Sequence, residues 1–315
     1  MSVAAVVVAI SAVVCTHNRA SLLEKCIQGL LGQTLSRDQY EIIVVDNGST
    51  DSTAEVLARY DGIPGFRTLY EPVAGLSRAR NLGWKNALAP YIGYIDDDAV
   101  ADPKWLESAL CAFQNVRPEP GWVGGPVELE WETEQPGWMT QELRIPLGGI
   151  DWGDEARWLL PTELLIGANS CFSRACLKKY GGFDERLGRQ GSNLLSGEET
   201  KLKQQIEGDG GALYYHPGVR VRHFVPKERT WPAWFYRRYY WGGVSDFVMQ
   251  RTLDGAQPPP GDHVGDQESH GRVGRLANSL LKATGLFCSR SEAIHARIYL
   301  CYVIGYLSGF FRWKR

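Results

Sequence analysis

The stretch YIGYIDDDAV at residues 91–100 contains the pattern that decides the fold of this chain. An apolar run ends abruptly at three consecutive carboxylates, Asp96, Asp97 and Asp98. The apolar run predicts a strand buried on both faces, which implies helices that cover it. Adjacent anions repel one another, so we expect them to be solvated, to cap a helix or to bind a hard divalent cation. A turn followed by the N-cap of a helix over residues 104–114 explains the stretch equally well when it is taken alone.

The segments before this strand alternate between strand-like and helix-like patterns. Strands are predicted over residues 6–14, 41–45 and 66–70, and helices over residues 20–33, up to residue 60, and over 77–88. This alternation predicts an α/β fold with a mostly parallel, doubly wound sheet. Ligands of such sheets bind outside the carboxyl ends of the strands. Polar clusters follow three of those ends, at residues 16–19, 46–48 and 96–98.

Composition and missing motifs exclude several classes of protein. No GxGxxG and no GxxxxGKS follows a predicted strand, which argues against an ordinary dinucleotide site or P-loop. The chain has 34 Lys and Arg residues and 36 Asp and Glu residues, so it lacks the excess of positive charge that is typical of a nucleic-acid-binding protein. The seven cysteines form no CxxC pair, which favours a reduced, cytoplasmic compartment. The uncharged first eighteen residues lack the positive start of a secretory signal and are interpreted as a strand.

Four motifs together resemble an inverting family-two glycosyltransferase of the GT-A fold. They are VVCTHNR at 13–19, EIIVVDNGSTD at 41–51, GLSRARNLG at 75–83 and YIDDDA at 94–99. The resemblance implies a GT-A catalytic domain over residues 1–225 and leaves 226–315 as a helical C-terminal extension. It also implies transfer of a sugar from a UDP-sugar or dTDP-sugar to a hydroxyl of a glycan, lipid-linked or small-molecule acceptor, with Mn²⁺ or Mg²⁺ as cofactor.

The resemblance further implies a nucleotide site and a metal site. The residues that it places around the nucleotide, besides the aspartates, are Cys15, Thr16, His17, Asp46, Asn47 and Arg80. The aspartates match the DxD motif, so Asp96 or Asp97 would face the ribose and diphosphate while Asp98 ligates the metal, with Asp96 as a further candidate ligand. His223 matches a histidine that completes the metal site in several members, although a lone histidine is more often structural. A neutral imidazole ligand favours Mn²⁺ over Mg²⁺.

An acidic pair begins the predicted helix in SGEETKLKQQIEGDG, residues 196–210. Carboxylates in a first helical turn are favoured by the unpaired backbone amides, so the pair has a purely structural explanation. In the resembled family, the second member of such a pair deprotonates the acceptor hydroxyl, which makes Glu199 the candidate base. Aspartate is usual there, and the longer glutamate leaves the choice between Glu198 and Glu199 open. Asp184 and Glu185, in a segment matching one near the acceptor, are secondary candidates.

The C-terminal part of the chain differs in composition from the rest. Residues 230–250 are rich in aromatic side chains, and residues 257–267 form a predicted Pro/Gly/Asp linker. Residues 271–315 contain eight Lys or Arg and one acid, Glu292. The uncharged run over residues 298–311 is shorter than the roughly twenty residues that span a bilayer. We therefore expect peripheral contact with the inner face of the plasma membrane through the basic end; a core-packing helix or a homodimer contact is the alternative.

Two other functions fit parts of the sequence. A sugar-nucleotide nucleotidyltransferase needs a glycine-rich first loop with basic residues for a triphosphate, whereas CTHNRAS offers only Arg19. A non-catalytic carbohydrate-binding subunit has no need for the three aspartates or the acidic pair. Transfer of a sugar in a single displacement needs one carboxylate on the acceptor side and no covalent nucleophile, which the acidic pair can provide.

Overall fold

A computed structural model describes residues 8–191, 193–252, 272–285 and 288–312, so the predicted linker at 257–267 lies outside the described residues. The chain forms two compact units, each assembled from three segments. The first unit comprises Met1–Glu130, Gly148–Glu185 and Glu198–Phe224. The second comprises Trp131–Leu147, Arg186–Gly197 and Val225–Arg315.

The order of elements follows the predicted alternation through residue 115. The strands are β1 (Ile10–Thr16), β2 (Tyr40–Asp46), β3 (Phe66–Tyr70), β4 (Tyr91–Asp96), β5 (Ala99–Ala101), β6 (Trp122–Gly124), β7 (Val127–Trp131), β8 (Arg157–Trp158), β9 (Asn169–Ser173), β10 (Tyr214–Tyr215) and β11 (Val221–Val225). The helices up to residue 208 are α1 (Ala20–Leu31), α2 (Thr53–Ala58), α3 (Leu76–Asn86), α4 (Trp105–Asn115), α5 (Arg174–Tyr180) and α6 (Glu198–Gly208).

The main sheet has the strand order β3-β2-β1-β4-β9-β6-β10-β8 among the described residues. Strands β1 to β4 are mutually parallel neighbours, while β9 runs antiparallel to both β4 and β6. Strand β10 is again parallel to β6, and β8 is antiparallel to β10. The predicted α/β class with a mostly parallel sheet flanked by helices is therefore confirmed.

Helices cover both faces of the central strands, as the apolar runs predict. The phenol of Tyr94 in β4 donates a hydrogen bond to the Arg80 carbonyl of α3 (2.9 Å). Gly93 precedes it in the strand and therefore faces the other way, where the Trp105 indole of α4 lies against it. Strand β2 is also buried along its whole length.

The carboxyl ends of β1, β2 and β4 meet at one edge of the sheet. Thr16 pairs in register with Asp46, and Cys15 with Asp96. Beyond β4 the chain continues into β5, which joins β11 and β7 in a small second sheet. In that sheet His223 lies opposite Ala99, and this register brings a residue from late in the chain next to Asp98.

The second unit contains the helices α7 (Pro232–Thr252), α8 (Arg272–Ala283) and α9 (Arg290–Arg312), which confirms the predicted helical C-terminal region. Helices α7 and α9 lie with their backbones in close contact, because Gly305 of α9 faces the Tyr240 carbonyl of α7. Tyr302 of α9 also donates to Asp246 of α7 (2.7 Å). Within the described residues, α9 is the one helix whose length and composition would suffice to cross a membrane.

Candidate active site

The three aspartates differ in their surroundings. Asp97 is buried and accepts hydrogen bonds from Thr16 Oγ1 (2.7 Å) and Arg19 Nη1 (2.9 Å). The same Arg19 nitrogen donates to Asp98 Oδ2 (2.6 Å), so one guanidinium bridges two carboxylates. Burial raises the pKa of Asp97 to about 6, although the charge of Arg19 opposes the rise. Arg19 thus offsets much of the repulsion that three adjacent acids create.

Asp96, Asp98 and His223 offer ligand atoms that all lie within 4.8 Å of one another. His223 Nε2 is 3.0 Å from Asp98 Oδ1, and both side chains are nearly inaccessible to solvent. The Asp96 side chain is 34% exposed, so the cluster is buried at Asp98 and His223 and accessible to solvent at Asp96. Carboxylate oxygens with one imidazole nitrogen suit Mn²⁺, and an open side leaves coordination positions for phosphate oxygens. The residues present therefore fit a divalent cation.

Asn47 ties the loop after β2 to the segment between β3 and α3. Its side-chain nitrogen donates to the carbonyls of Glu71 (2.9 Å) and Val73 (2.8 Å), and its side-chain oxygen accepts from the amide of Gly75 (2.8 Å). Both amide hydrogens are thereby used. His17 Nδ1 lies 2.9 Å from the Asn47 carbonyl oxygen. In this arrangement the side chain of Asn47 fixes the shape of the loops at the sheet edge.

The remaining predicted nucleotide residues of β1 and β2 also lie at this edge. Asp46 Oδ1 accepts from the amide of Ser49 (2.9 Å), which stabilises the turn after β2. Cys15 stands beside Asp96 in the neighbouring strand. Burial raises the pKa of the Cys15 thiol to about 12, so this group is neutral at physiological pH.

Arg80 of α3 connects the acidic pair with the aspartate cluster. Its Nη1 donates to Glu198 Oε1 (3.0 Å) and Glu199 Oε1 (2.7 Å). Its Nη2 lies 3.7 Å from Asp96 Oδ1. The guanidinium is almost fully buried and stacks 5.3 Å from the centre of the Phe183 ring. The resemblance implies that Arg80 contacts the nucleotide; the structure gives its side chain three carboxylate neighbours, and the nucleotide contact stays a prediction.

The pKa values of the two members of the acidic pair are shifted in opposite directions. Burial raises the pKa of Glu198 to about 8, and the negative charge of Glu199 adds to the rise. Burial also opposes ionisation of Glu199, but attraction to Arg80 and a hydrogen bond from Glu198 outweigh it and lower the Glu199 pKa. At neutral pH the pair therefore holds one proton, and the raised pKa of Glu198 favours this residue as its carrier. The Glu199 side chain is 21% exposed against 3% for Glu198, so the ionised member is also the accessible one.

The secondary candidates are engaged elsewhere in ion pairs. Asp184 Oδ2 lies 2.6 Å from Lys201 Nζ, and both side chains are largely buried. Glu185 Oε2 lies 2.8 Å from Arg78 Nη1 at a more exposed position. These pairs neutralise both carboxylates, which favours a structural contribution.

Two residues at the site carry no role in the sequence analysis. The sequence shows Arg19 only as a cation of the first loop. Its hydrogen bonds to Asp97 and Asp98 depend on the fold. Gly167, which lies just before β9, stands against the Glu199 carboxylate: a Cβ at this position would overlap it and would lie 2.6 Å from Arg80 Nη2. A lone glycine before a strand gives no signal of such a contact, so only the structure reveals it.

Comparisons with known proteins identify the class of protein. Residues 11–135 match the family model described as glycosyl transferase family 2. The chain is 27% identical over 274 residues to a glucosyl-dolichyl phosphate glucuronosyltransferase of Haloferax volcanii, covering 85% of this chain and 86% of that protein. It is 26% identical over 225 residues to validoxylamine A glucosyltransferase of Streptomyces hygroscopicus subsp. jinggangensis, covering 64% of this chain and 52% of that protein.

A solved structure supports the fold. The mannosyltransferase PcManGT from Pyrobaculum calidifontis, in complex with GDP-Man and Mn²⁺, is similar with a TM-score of 0.59 at 22% identity, over 95% of this chain and 85% of that one. The fold and the relatives together define a glycosyltransferase of the GT-A fold that uses a sugar-nucleotide donor. Within that class, residues 11–135 are similar to glycosyl transferase family 2, whose members are inverting.

Proposed function

We propose that this glycosyltransferase moves a sugar from UDP or dTDP to a hydroxyl of a glycan, lipid-linked or small-molecule acceptor, with Glu199 as the base. The observation that carries the proposal is the position of Arg80, whose two terminal nitrogens lie 2.7 Å from Glu199 and 3.7 Å from Asp96. One guanidinium therefore separates the candidate base from the candidate metal ligands. A donor diphosphate at the aspartates and an acceptor hydroxyl at Glu199 would be adjacent, as direct displacement requires.

Each residue then has a defined task in the reaction. Glu199 is ionised and accepts the proton of the acceptor hydroxyl while the hydroxyl oxygen attacks the anomeric carbon. Glu198 keeps its proton and hydrogen-bonds to Glu199, and Arg80 fixes the position of both. Asp96, Asp98 and His223 would hold Mn²⁺ or Mg²⁺, with Asp96 or Asp97 facing the ribose and diphosphate. When bound, the cation supplies positive charge that stabilises the departing diphosphate.

The nucleotide contacts belong to the same proposal. Cys15, Thr16 and His17 would lie beside the base of the nucleotide, with Asp46 and Asn47 below it and Arg80 within reach of the nucleotide. Residues 1–225 would form the catalytic domain. Residues 226–315 would form an extension that supports acceptor binding and peripheral contact with the cytoplasmic face of the plasma membrane; a homodimer contact is the alternative use of that extension.

The nucleotidyltransferase alternative has less support. It requires a first loop with basic groups available for a triphosphate, and the loop between β1 and α1 offers Arg19. In the structure Arg19 Nη1 is 2.9 Å from Asp97 and 2.6 Å from Asp98, so its charge is already matched by two carboxylates. Nothing in this arrangement favours a triphosphate over a diphosphate.

A donor screen tests the proposed function. UDP-, dTDP- and GDP-sugars are supplied with Mn²⁺ or Mg²⁺, and the released nucleotide is identified by chromatography. We expect cation-dependent release of UDP or dTDP. Release of GDP alone would overturn the choice of base, and release of pyrophosphate from a sugar phosphate and a nucleoside triphosphate would identify a nucleotidyltransferase. No product from any donor would contradict catalysis by this chain.

Gly167→Ala is expected to slow sugar transfer about 100-fold, because the added methyl group must displace the Glu199 carboxylate from Arg80 and small misplacements of catalytic groups are costly. The measurement is the initial rate of nucleoside diphosphate release. Gly208→Ala is a matched control, since a Cβ there meets no atom within 4 Å. An unchanged rate in Gly167→Ala would show that Glu199 need not occupy the position seen here.

A further inference from the structure

Helix α9 has one face that is closed by helix α7. Gly305 and Gly309 are spaced four residues apart on this face, and both are buried. A Cβ at Gly309 would lie 2.7 Å from the Cβ of Phe247 in α7, and one at Gly305 would overlap the Tyr240 carbonyl. The two glycines therefore allow the helices to pack backbone against backbone.

The opposite side of α9 exposes large apolar residues. Ile304, Leu307, Phe310 and Phe311 are between 42% and 72% exposed. Positions 304, 307 and 311 follow helical spacing, so they form one stripe along the helix. Helix α8, which packs on α9, exposes Leu280 and Leu281 as well. The exposed apolar residues that follow one another along α9 mark an interaction surface, unlike scattered single ones.

The net charge of the segment that carries the stripe indicates the kind of partner. Residues 271–315 carry eight basic side chains and one acidic side chain, whereas the remainder of the chain carries 26 basic and 35 acidic ones. The stripe therefore belongs to a strongly basic segment of an otherwise acidic protein. An apolar stripe in a segment with a net positive charge is complementary to the surface of a bilayer that contains anionic lipids.

The length of the apolar run and the charges on α7 decide how deep the helix can enter. Helix α9 as a whole is long enough to cross a membrane, but its uncharged run 298–311 is fourteen residues long and gives about 21 Å of helix against the roughly 30 Å of a hydrocarbon core. Helix α7 also carries Arg237, Arg238, Asp246 and Arg251. Because α7 is packed on the glycine face, immersion of the pair would bring these charges into the bilayer, where they are expensive.

We propose that the stripe formed by Ile304, Leu307, Phe310 and Phe311 is a docking surface for an anionic bilayer, which α9 enters from one side without crossing. The proposal names the surface behind the peripheral membrane contact proposed above, and it rests on that contact but not on the chemistry of sugar transfer. The glycine face stays occupied by α7, and the stripe on the opposite side of α9 meets lipid.

Flotation of the full-length chain with lipid vesicles tests this proposal. We expect binding to vesicles of phosphatidylcholine mixed with phosphatidylglycerol, weaker binding to phosphatidylcholine alone, and release at high salt. Leu307→Glu should reduce binding about tenfold or more, because it places a charge in the inserted stripe. Leu88→Glu is the matched control: Leu88 is 68% exposed in the first unit, and the variant adds the same charge outside the stripe.

Further measurements keep the outcomes distinct. Leu307→Glu should keep its circular dichroism spectrum and its affinity for the nucleotide with Mn²⁺, so its loss of vesicle binding is separate from folding and from the donor site. Equal vesicle binding by the wild type and Leu307→Glu would overturn the proposal. Resistance of the bound protein to alkaline extraction would overturn it too, because that indicates a spanning helix. A dimer in sedimentation, dissociated by Leu307→Glu and without vesicle binding, would assign the stripe to a second copy instead.

Discussion

Replacement of Glu199 by glutamine is expected to lower the rate of sugar transfer about 10²- to 10⁴-fold while nucleotide affinity is unchanged. Glutamine keeps the shape of the side chain and an oxygen that can accept the Arg80 hydrogen bond, which is 2.7 Å long in the structure. It cannot accept a proton from the acceptor hydroxyl. The rate is measured as nucleoside diphosphate release, and affinity by titration calorimetry with the nucleotide and Mn²⁺.

Glu198→Gln is the matched control for this variant. Because the pKa of Glu198 is raised to about 8, this carboxyl is protonated at neutral pH and glutamine resembles it closely. We expect near wild-type rates at pH 7. Above about pH 8 wild-type Glu198 loses its proton and places a second negative charge beside Glu199, so the wild-type rate should change there and the variant rate should not. Inactivation by Glu198→Gln together with an active Glu199→Gln would exchange the two assignments.

Asp98→Asn is expected to weaken Mn²⁺-dependent nucleotide binding by about 100-fold or more. Hard cations bind anionic oxygen ligands, and this substitution removes the charge of the most buried carboxylate in the cluster of Asp96, Asp98 and His223. Nucleotide binding without metal should change little. The measurement is calorimetric titration of nucleotide with and without Mn²⁺.

Asp102→Asn provides the control for that experiment. It removes the same charge four residues further along the chain, from a side chain that accepts the amide of Lys104 (2.9 Å) and takes no part in the cluster. Its Mn²⁺-dependent affinity should equal that of the wild type. If Asp98→Asn bound nucleotide with unchanged affinity in Mn²⁺, Asp98 would have no role as a ligand.

Local pattern predicts the first half of the sheet well and the second half poorly. The predicted strand at residues 66–70 coincides with β3, and the other strands up to β4 differ from their predicted bounds mainly at the ends, because each has a long apolar run. Strand β8 has two residues, too few to show a period. The insertion of β9 between β4 and β6 joins segments that are distant in the chain, and no local pattern encodes that pairing.

The same division applies to the site. The meeting of Thr16, Asp46 and Asp96 is predictable because the ends of parallel strands share one edge. The pairing of Arg80 with Glu199 crosses 119 positions of sequence, and the structure is needed to see it. The sequence leaves the choice between Glu198 and Glu199 open, and the proposal of Glu199 is based on their unequal burial and on this one guanidinium.

The glycine contact between α7 and α9 has a practical consequence for engineering. Gly243 of α7 and Gly305 of α9 each face the other helix's backbone so closely that no other residue would fit without separating the helices. A truncation that removes α9 would leave α7 with a groove shaped for a missing neighbour, and a foreign helix without matching glycines could not fill it. Chimeras and shortened versions of this enzyme should therefore keep both α7 and α9 or remove both.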